Sequence, residues 1–406
     1  LSPAPTGRHA RIILKSLRPR SMTATTSTPP NVPVWDDGHG PTLPVLEGDH
    51  TANACVIGLG GSGLTCIEEI LSLGGSVIGI DAVSLTAGAA GRNGGLLVSG
   101  TADYHHDLVG QVGRDRAVAI TRLTVDEMER LAEQAPDAVR ETGSIRLGDS
   151  DEEYADCLRQ MHAMVADGFD VTPYDGVLGR GIHIAGDHVF DPVGRGRALA
   201  AAVREAGAAL YGGSPAVEFG EGFVRTPKGR VHCDAVCICV DGGLERLLPE
   251  LVGTVRTARL QMLATEPTNE IRLHCPMSNR YGFDYWQQLA DDRIVLGGGR
   301  DQAMDEEWTD EATPTPRIQD YLDSVLRERL GVKAAVTHRW AAIVSYTTTG
   351  LPVVGEVRPG VWVAGAYSGT GNLMGALAGR AIARAAFDEP SPYDVLLSPL
   401  LPGRHQ

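Results

Sequence analysis

No apolar run in this chain approaches the roughly 20 residues that a membrane-spanning helix requires, so nothing in it reads as a transmembrane anchor. A basic excess is also missing. The formal net charge is −15 at pH 7, and an acidic surface repels nucleic acid and anionic membranes alike, which removes both from the expected partners. Attraction of a cationic substrate is one reading of that charge, and solubility is the plainer one. The cysteines lack a pairing pattern. There are seven (Cys55, Cys66, Cys157, Cys233, Cys237, Cys239 and Cys275), an odd number, most of them inside apolar runs. Cys237 and Cys239 alternate with Val236, Ile238 and Val240, so both face one side of an expected strand. Buried reduced thiols and a reducing, cytoplasmic setting are therefore expected, and neither a disulfide framework nor a metal site is.

Acidic residues are absent from the start of the chain. None precedes Asp36, whereas Arg8, Arg11, Lys15, Arg18 and Arg20 are basic and Ser, Thr and Pro dominate from Ser21 to Pro30. The composition resembles an organelle transit peptide. A start recorded too early, with Met22 as the true first residue, is the simpler account. On either view residues 1–51 are expected to be a disordered extension, with the fold beginning near Ala52.

What is plentiful is glycine, 50 of 406 residues, and it clusters as turn-forming glycine does. A chain this long suits two closely packed domains rather than one simple core. The apolar run Ala54-Cys55-Val56-Ile57 reads as a strand. Gly58-Leu59-Gly60-Gly61-Ser62-Gly63 follows as a tight turn, Leu64–Leu73 as a helix, and Ser76–Ile80 as a second strand ending at Asp81. A bare Gly-x-Gly-x-x-Gly is weak, but here it opens a helix directly after a strand, the context that a dinucleotide fingerprint needs. Gly58 permits the turn, Gly60 the approach of a pyrophosphate, and Gly63 the packing of helix on sheet. The Asp81 carboxylate suits ribose hydroxyls and would repel a 2′-phosphate.

Further helices are predicted at 114–134, 152–167, 193–206, 317–330 and 370–387. Alternating apolar and polar residues between 256 and 300 predict antiparallel strands. The fold class is therefore α/β (α+β): a Rossmann-like nucleotide-binding domain interrupted by a mostly antiparallel β-sheet substrate domain. The expected division assigns 52–104, 188–250 and 340–388 to the first domain, 105–187 and 251–339 to the second, and 389–406 to a tail.

Two more segments narrow the cofactor. Thr86-Ala87-Gly88-Ala89-Ala90-Gly91-Arg92-Asn93-Gly94-Gly95 comes soon after Asp81. Gly365-Ala366-Tyr367-Ser368-Gly369-Thr370-Gly371-Asn372-Leu373-Met374 passes from a strand through glycines into a helix. With these residues the chain resembles the FAD-dependent oxidoreductases of the D-amino-acid-oxidase (DAO) superfamily, and within it the gamma-glutamylputrescine-oxidoreductase-like group with its Gly-Arg-Asn-Gly-Gly turn. Thr142–Leu147, Val189-Phe190-Asp191-Pro192 and Trp340–Gly355 resemble further family segments, so the likeness spans roughly residues 52–388. It implies noncovalent FAD held by Gly58, Gly60, Gly61, Ser62, Gly63, Asp81, Ala82, Gly91, Arg92, Asn93, Gly94, Gly95, Val217, Gly369, Thr370, Gly371, Asn372 and Leu373. Val217 would meet the adenine through its backbone. Gly369–Leu373 would set a helix N-terminus beside the flavin, where reduction builds negative charge. Relatives often carry serine where this chain has Ala90, which removes a hydroxyl from the expected phosphate site.

The implied activity is oxidation of a C–N bond in a small amine or amino acid, by hydride transfer to flavin N5, giving an imine. Oxygen or a quinone would then take the electrons. The glycine-oxidase-like pattern places a carboxylate-binding arginine where this chain has Val344, followed by Ser345. That favours an amine over an amino acid, unless Arg300, in Gly297-Gly298-Gly299-Arg300-Asp301, binds the carboxylate instead of pairing with Asp301. Tyr281, Asp284, Tyr285 and Trp286 are expected on a pocket-floor strand, with Asp284 and Trp286 on one face and Tyr281 and Tyr285 on the other. The catalytic candidates are Tyr285, Asp284, Arg300 and Tyr346, with Tyr367 nearby. His105-His106 is expected to face solvent, and Cys275 is not expected to anchor flavin. An NAD-dependent dehydrogenase and a flavin-binding protein without catalysis are the alternatives.

Overall fold

In the computed structural model residues 31–397 are described. The run Ala54–Ile57 is apolar at every position and buried throughout, as a strand covered on both faces must be. It lies at the centre of a six-stranded sheet ordered Ala209–Tyr211, Val77–Ile80, Ala54–Ile57, Ala235–Ile238, Val361–Gly365 and Val353–Arg358. All neighbours are parallel except the last pair. The fingerprint helix Gly61–Ser72 and the closing helix Met374–Ala386 pack side by side on one face.

Their approach is close because position 379 is glycine. A Cβ there would collide with the Ser62 carbonyl. The next residue, Arg380, is 2% exposed and reaches Glu69 (2.9 Å), Glu68 (2.9 Å) and Glu127 (3.1 Å). This ties the closing helix to the fingerprint helix and to the helix Arg114–Gln134.

A second sheet has eight strands, ordered Val336–Thr347, Val255–Thr265, Ile294–Gly298, Asp284–Gln288, Met277–Asn279, Ser144–Leu147, Gly179–Ile184 and Val171–Gly176. It is antiparallel except where Met277–Asn279 runs parallel to Ser144–Leu147, so the expected class and the antiparallel second sheet are observed. Smaller sheets of four and three strands complete the fold.

Several expected boundaries shift. Residues 31–51 are not a disordered extension. Leu43 and Leu46 are buried, Gly48–Thr51 pairs parallel with Gly229–His232, and the Trp35 indole donates to the Asn93 carbonyl (2.9 Å). Three well-spaced apolar side chains suffice to anchor a segment whose average composition is polar. The transit-peptide and Met22 expectations fall on residues 1–30, outside the described residues. Leu108, Ala117 and Ile120 join the core of the six-stranded sheet, so the packing does not change at 104. At the other end, the strand Val336–Thr347 carries residues 340–347 into the eight-stranded sheet. Tyr393 and Leu396 of the expected tail pack into the same core as Leu108.

Replacing Arg380 by leucine would leave Glu68, Glu69 and Glu127 mutually repelling in a largely buried place. A loss of about 3–5 kcal/mol of stability is expected. Arg384→Leu, at the wetter rim of the cluster, should cost less than about 1 kcal/mol. Thermal unfolding of the two variants checks the order.

Candidate active site

The carboxyl ends of the parallel strands open into a cavity of about 580 Å3, the place where doubly wound sheets receive ligands. Both distant glycine turns line it: Gly58, Gly60, Gly61 and Ser62 from one, and Gly369, Thr370, Gly371, Asn372 and Leu373 from the other. The first turn is held by Gly58 N donating to the Ile80 carbonyl (2.8 Å) and Leu59 N donating to Asp81 Oδ2 (2.9 Å). Asp81 Oδ1 accepts from Val83 N (2.8 Å). Burial pushes the Asp81 carboxyl above its ordinary value, against the pull of those backbone donors. The first-turn amides of the helix Gly61–Ser72 have no intrahelical acceptor, and its dipole points the same way, so a diphosphate would be welcome there.

The Gly91–Gly95 turn joins the two. Its leading residues form the short helix Ala89–Arg92. Asn93 caps that helix by donating to the carbonyls of Ala90 (2.9 Å) and Ala89 (3.1 Å), and its Oδ1 accepts from Gly95 N (2.9 Å). Asn372 donates to the Leu96 carbonyl (2.8 Å) and to Asn93 Oδ1 (3.4 Å), which fastens the closing turn to this one. Arg92, Asn93 and Gly94 line the cavity. The Arg92 guanidinium is engaged with the Ala341 carbonyl (2.7 Å) and with Asn31, so its place is structural as well as adjacent to the ligand. Gly63, Gly91 and Gly95 lie behind the lining. Ala82 is exposed and not part of it. Val217 is 50% exposed, its N–H already donates to Arg225 O (2.9 Å), and it does not reach the cavity.

Of the catalytic candidates, Tyr285, Arg300 and Tyr346 line the cavity together with Tyr367 and Val344. Asp284 does not. Strand alternation turns it, with Trp286, to the opposite face. There its carboxylate accepts from Gly299 N (3.0 Å), Arg280 (2.9 Å) and the Tyr321 hydroxyl (2.6 Å), and Trp286 is fully buried in the core under the second sheet. Tyr281 does reach the cavity, but from a turn: the strand begins at Asp284, and Arg280 and Tyr281 hold φ of 52° and 57°. The alternative pairing of Arg300 with Asp301 is not made, because Arg280 takes Asp301. Arg300 instead sits over the rings of Tyr346 (4.4 Å), Trp308 (4.9 Å) and Phe283 (5.8 Å).

His105 is buried, not solvent-facing, and its Nε2 meets Asp167 (2.8 Å), because the apolar face of its helix turns inward. Cys275 is away from the cavity among Met277 and Trp286, and burial pushes its thiol up to about 11. The cysteines are free and buried, and no cluster able to hold a metal occurs among the described residues.

Sequence reasoning missed Arg146, Arg195 and Asp241, all on the lining. Asp241 had a legible signal, since it follows a buried strand whose carboxyl end had to face the ligand. Its Oδ1 accepts from Tyr367 N (3.1 Å), and burial pushes it from the ordinary 3.8 up to about 7. Below about pH 3 the carboxyl is protonated in folded and unfolded chains alike. Stability is lost as pH rises from there through about 7, on the order of 4 kcal/mol. Asp241→Asn should therefore match the native thermal midpoint at about pH 3 and exceed it by a constant margin above neutrality. Unfolding scans across pH test this, and a constant difference at every pH would contradict it.

Comparison with known proteins agrees with this geometry. The family model described as FAD dependent oxidoreductase (DAO) matches residues 53–385. A probable oxidoreductase OrdL of Haemophilus influenzae is 24% identical over 376 residues, covering 84% of each chain. Gamma-glutamylputrescine oxidoreductase of Escherichia coli is 24% identical over 371 residues, covering 85% of each. Among solved structures, glycine oxidase from Geobacillus kaustophilus superposes with a TM-score of 0.70 at 21% identity, over 88% of this chain and 100% of that one. L-proline dehydrogenase from P. horikoshii superposes with a TM-score of 0.70 at 18% identity, over 85% and 98%. With the match covering most of the chain and both glycine turns meeting in one cleft, this protein belongs to the DAO family of FAD-dependent oxidoreductases.

Proposed function

We propose that the enzyme oxidises the C–N bond of an amine that also carries a carboxylate, and that Arg300 receives that carboxylate. The observation behind this is the state of Arg300. It lines the cavity, its Nη1 is buried without a partner, and it makes no ion pair among the described residues. The guanidinium is half-buried, and a buried nitrogen left unpaired is costly; a carboxylate bound bidentately offsets that cost. Val344 lines the same cavity, and two residues on along the same strand Tyr346 lies against Arg300. Arg300 thus reaches from a neighbouring turn toward the face where the glycine-oxidase pattern would carry its arginine. This reverses the preference for a plain amine that Val344 alone suggests. Relatives named for glycine, L-proline and gamma-glutamylputrescine act on nitrogen compounds, in keeping with this reading.

Gly58, Gly60, Gly61, Ser62, Asp81, Asn93, Gly94 and Gly369–Leu373 would hold FAD, which when bound supplies the hydride acceptor. The remaining work falls to the chain. The Arg300 cation favours the neutral form of a nearby amine, the form that can lose hydride from its α-carbon. Burial raises both Tyr285 and Tyr346 above the ordinary phenol value, so at neutral pH each keeps its proton and acts as a donor, not a base. The turn Gly369–Leu373 ahead of the closing helix presents its positive dipole end to developing negative charge. The imine is released to water and hydrolysed. Oxygen or a quinone is the final acceptor in this proposal, and the buried free thiols support a reducing, cytoplasmic site of action.

Anaerobic bleaching of the bound flavin by paired substrates, each amine with and without a carboxylate, tests the reading. Arg300→Leu should raise the KM of the carboxylate-bearing member by about tenfold to a hundredfold and leave its partner unchanged. Equal bleaching by both members in the native enzyme would reject it.

A further inference from the structure

Another unpartnered cation lines the cavity, beside the start of the fingerprint helix. Arg195 lies on the helix Pro192–Glu205 and is 5% exposed, yet its Nε and Nη2 have no partner. It is placed by an exchange of size between two positions. Position 61, the first residue of the fingerprint helix, is glycine, and a Cβ there would lie 2.8 Å from Arg195 Nη1. The missing side chain makes room for the guanidinium against the helix N-terminus. Ala90 closes the same corner, since a Cβ on Gly60 would lie 3.2 Å from the Ala90 Cβ. Position 90, an alanine, offers no hydroxyl to this corner, and the unpartnered cation stands beside it.

We propose that Arg195 is the side chain that receives the diphosphate of FAD in this protein. The inference rests on the cofactor cavity and is independent of the substrate assigned to Arg300. Burial, together with the nearby charge of Arg380, depresses the Arg195 guanidinium, opposed by the fields of Glu127 and Glu68. Those carboxylates already hydrogen-bond Arg380, and none of them bonds Arg195. A diphosphate offers oxygens in the forked geometry that a guanidinium matches, and the amides of the fingerprint turn converge on the same point.

The test uses the holoenzyme, diluted at several salt concentrations while released flavin is followed by its fluorescence, with ADP and adenosine as competitors. Arg195→Met should raise the FAD dissociation constant about tenfold to a hundredfold and flatten its salt dependence. It should shrink the advantage of ADP over adenosine by the same factor and leave adenosine itself unaffected. Arg195→Lys, which keeps the charge without the fork, should fall between, and it carries the test if the methionine variant does not fold. An unchanged FAD constant overturns the proposal. So does an equal loss for ADP and adenosine, which would mean that Arg195 only packs the corner or balances the Glu68–Glu127 cluster. Neither result bears on the Arg300 reading, which is measured with substrate.

Discussion

The turn at Gly91–Gly95 is the point on which the rest of the site depends. Its backbone is gripped from several directions. Asn93 caps it from within, and Asn372 ties it to the closing turn. The Trp340 indole donates to the Arg92 carbonyl (2.8 Å), and Gln287 donates to the carbonyls of Gly94 (2.5 Å) and Gly95 (3.1 Å). Trp340 and Gln287 belong to the eight-stranded sheet, and Asn372 to the turn between the strand Val361–Gly365 of the six-stranded sheet and the closing helix. One short peptide thereby fixes the distance between the part of the molecule that holds the nucleotide and the part that faces the substrate. A hydride can pass only if that distance is held. A turn whose carbonyls are already satisfied by side chains is a rigid means of holding it.

The buried arginines divide by partnership. Arg380 meets Glu68, Glu69 and Glu127, and Arg259 meets Glu307 through two nitrogens (3.0 and 2.8 Å). These charges are neutralised inside the protein and hold helices and strands together. Arg195 is buried and Arg300 half-buried without such partners, and both line the cavity. Because an unpaired buried charge is expensive, their state is what the two proposals for bound anions rest on, one near the fingerprint helix and one beside the aromatic rings of Phe283, Trp308 and Tyr346. The net acidity of the chain gave no hint of this, since a total charge does not describe a pocket.

The nucleotide half was legible because its determinants are local. A strand, a glycine turn and a helix occupy consecutive residues, and the periodicity of 114–134 coincided with the helix found. The substrate half was not, because its determinants are contacts between distant segments. Asp284 was on the correct strand but is drawn to the far face by Arg280 and Tyr321. Arg300 was in the correct loop, but its freedom depends on Arg280 having taken Asp301. Residues 31–51 looked featureless because Trp35, Leu43 and Leu46 are few, and only the groove they fill gives them weight.

The sequence by itself determined the cofactor fold. Glycine at the close approaches and apolar residues along the parallel strands leave the backbone little other choice, and each of those constraints acts within a few residues. Only the tertiary structure decided which polar groups remain unpaired. Whether a buried arginine is neutralised or left free depends on which carboxylate arrives first from elsewhere in the chain, and no local pattern encodes that competition.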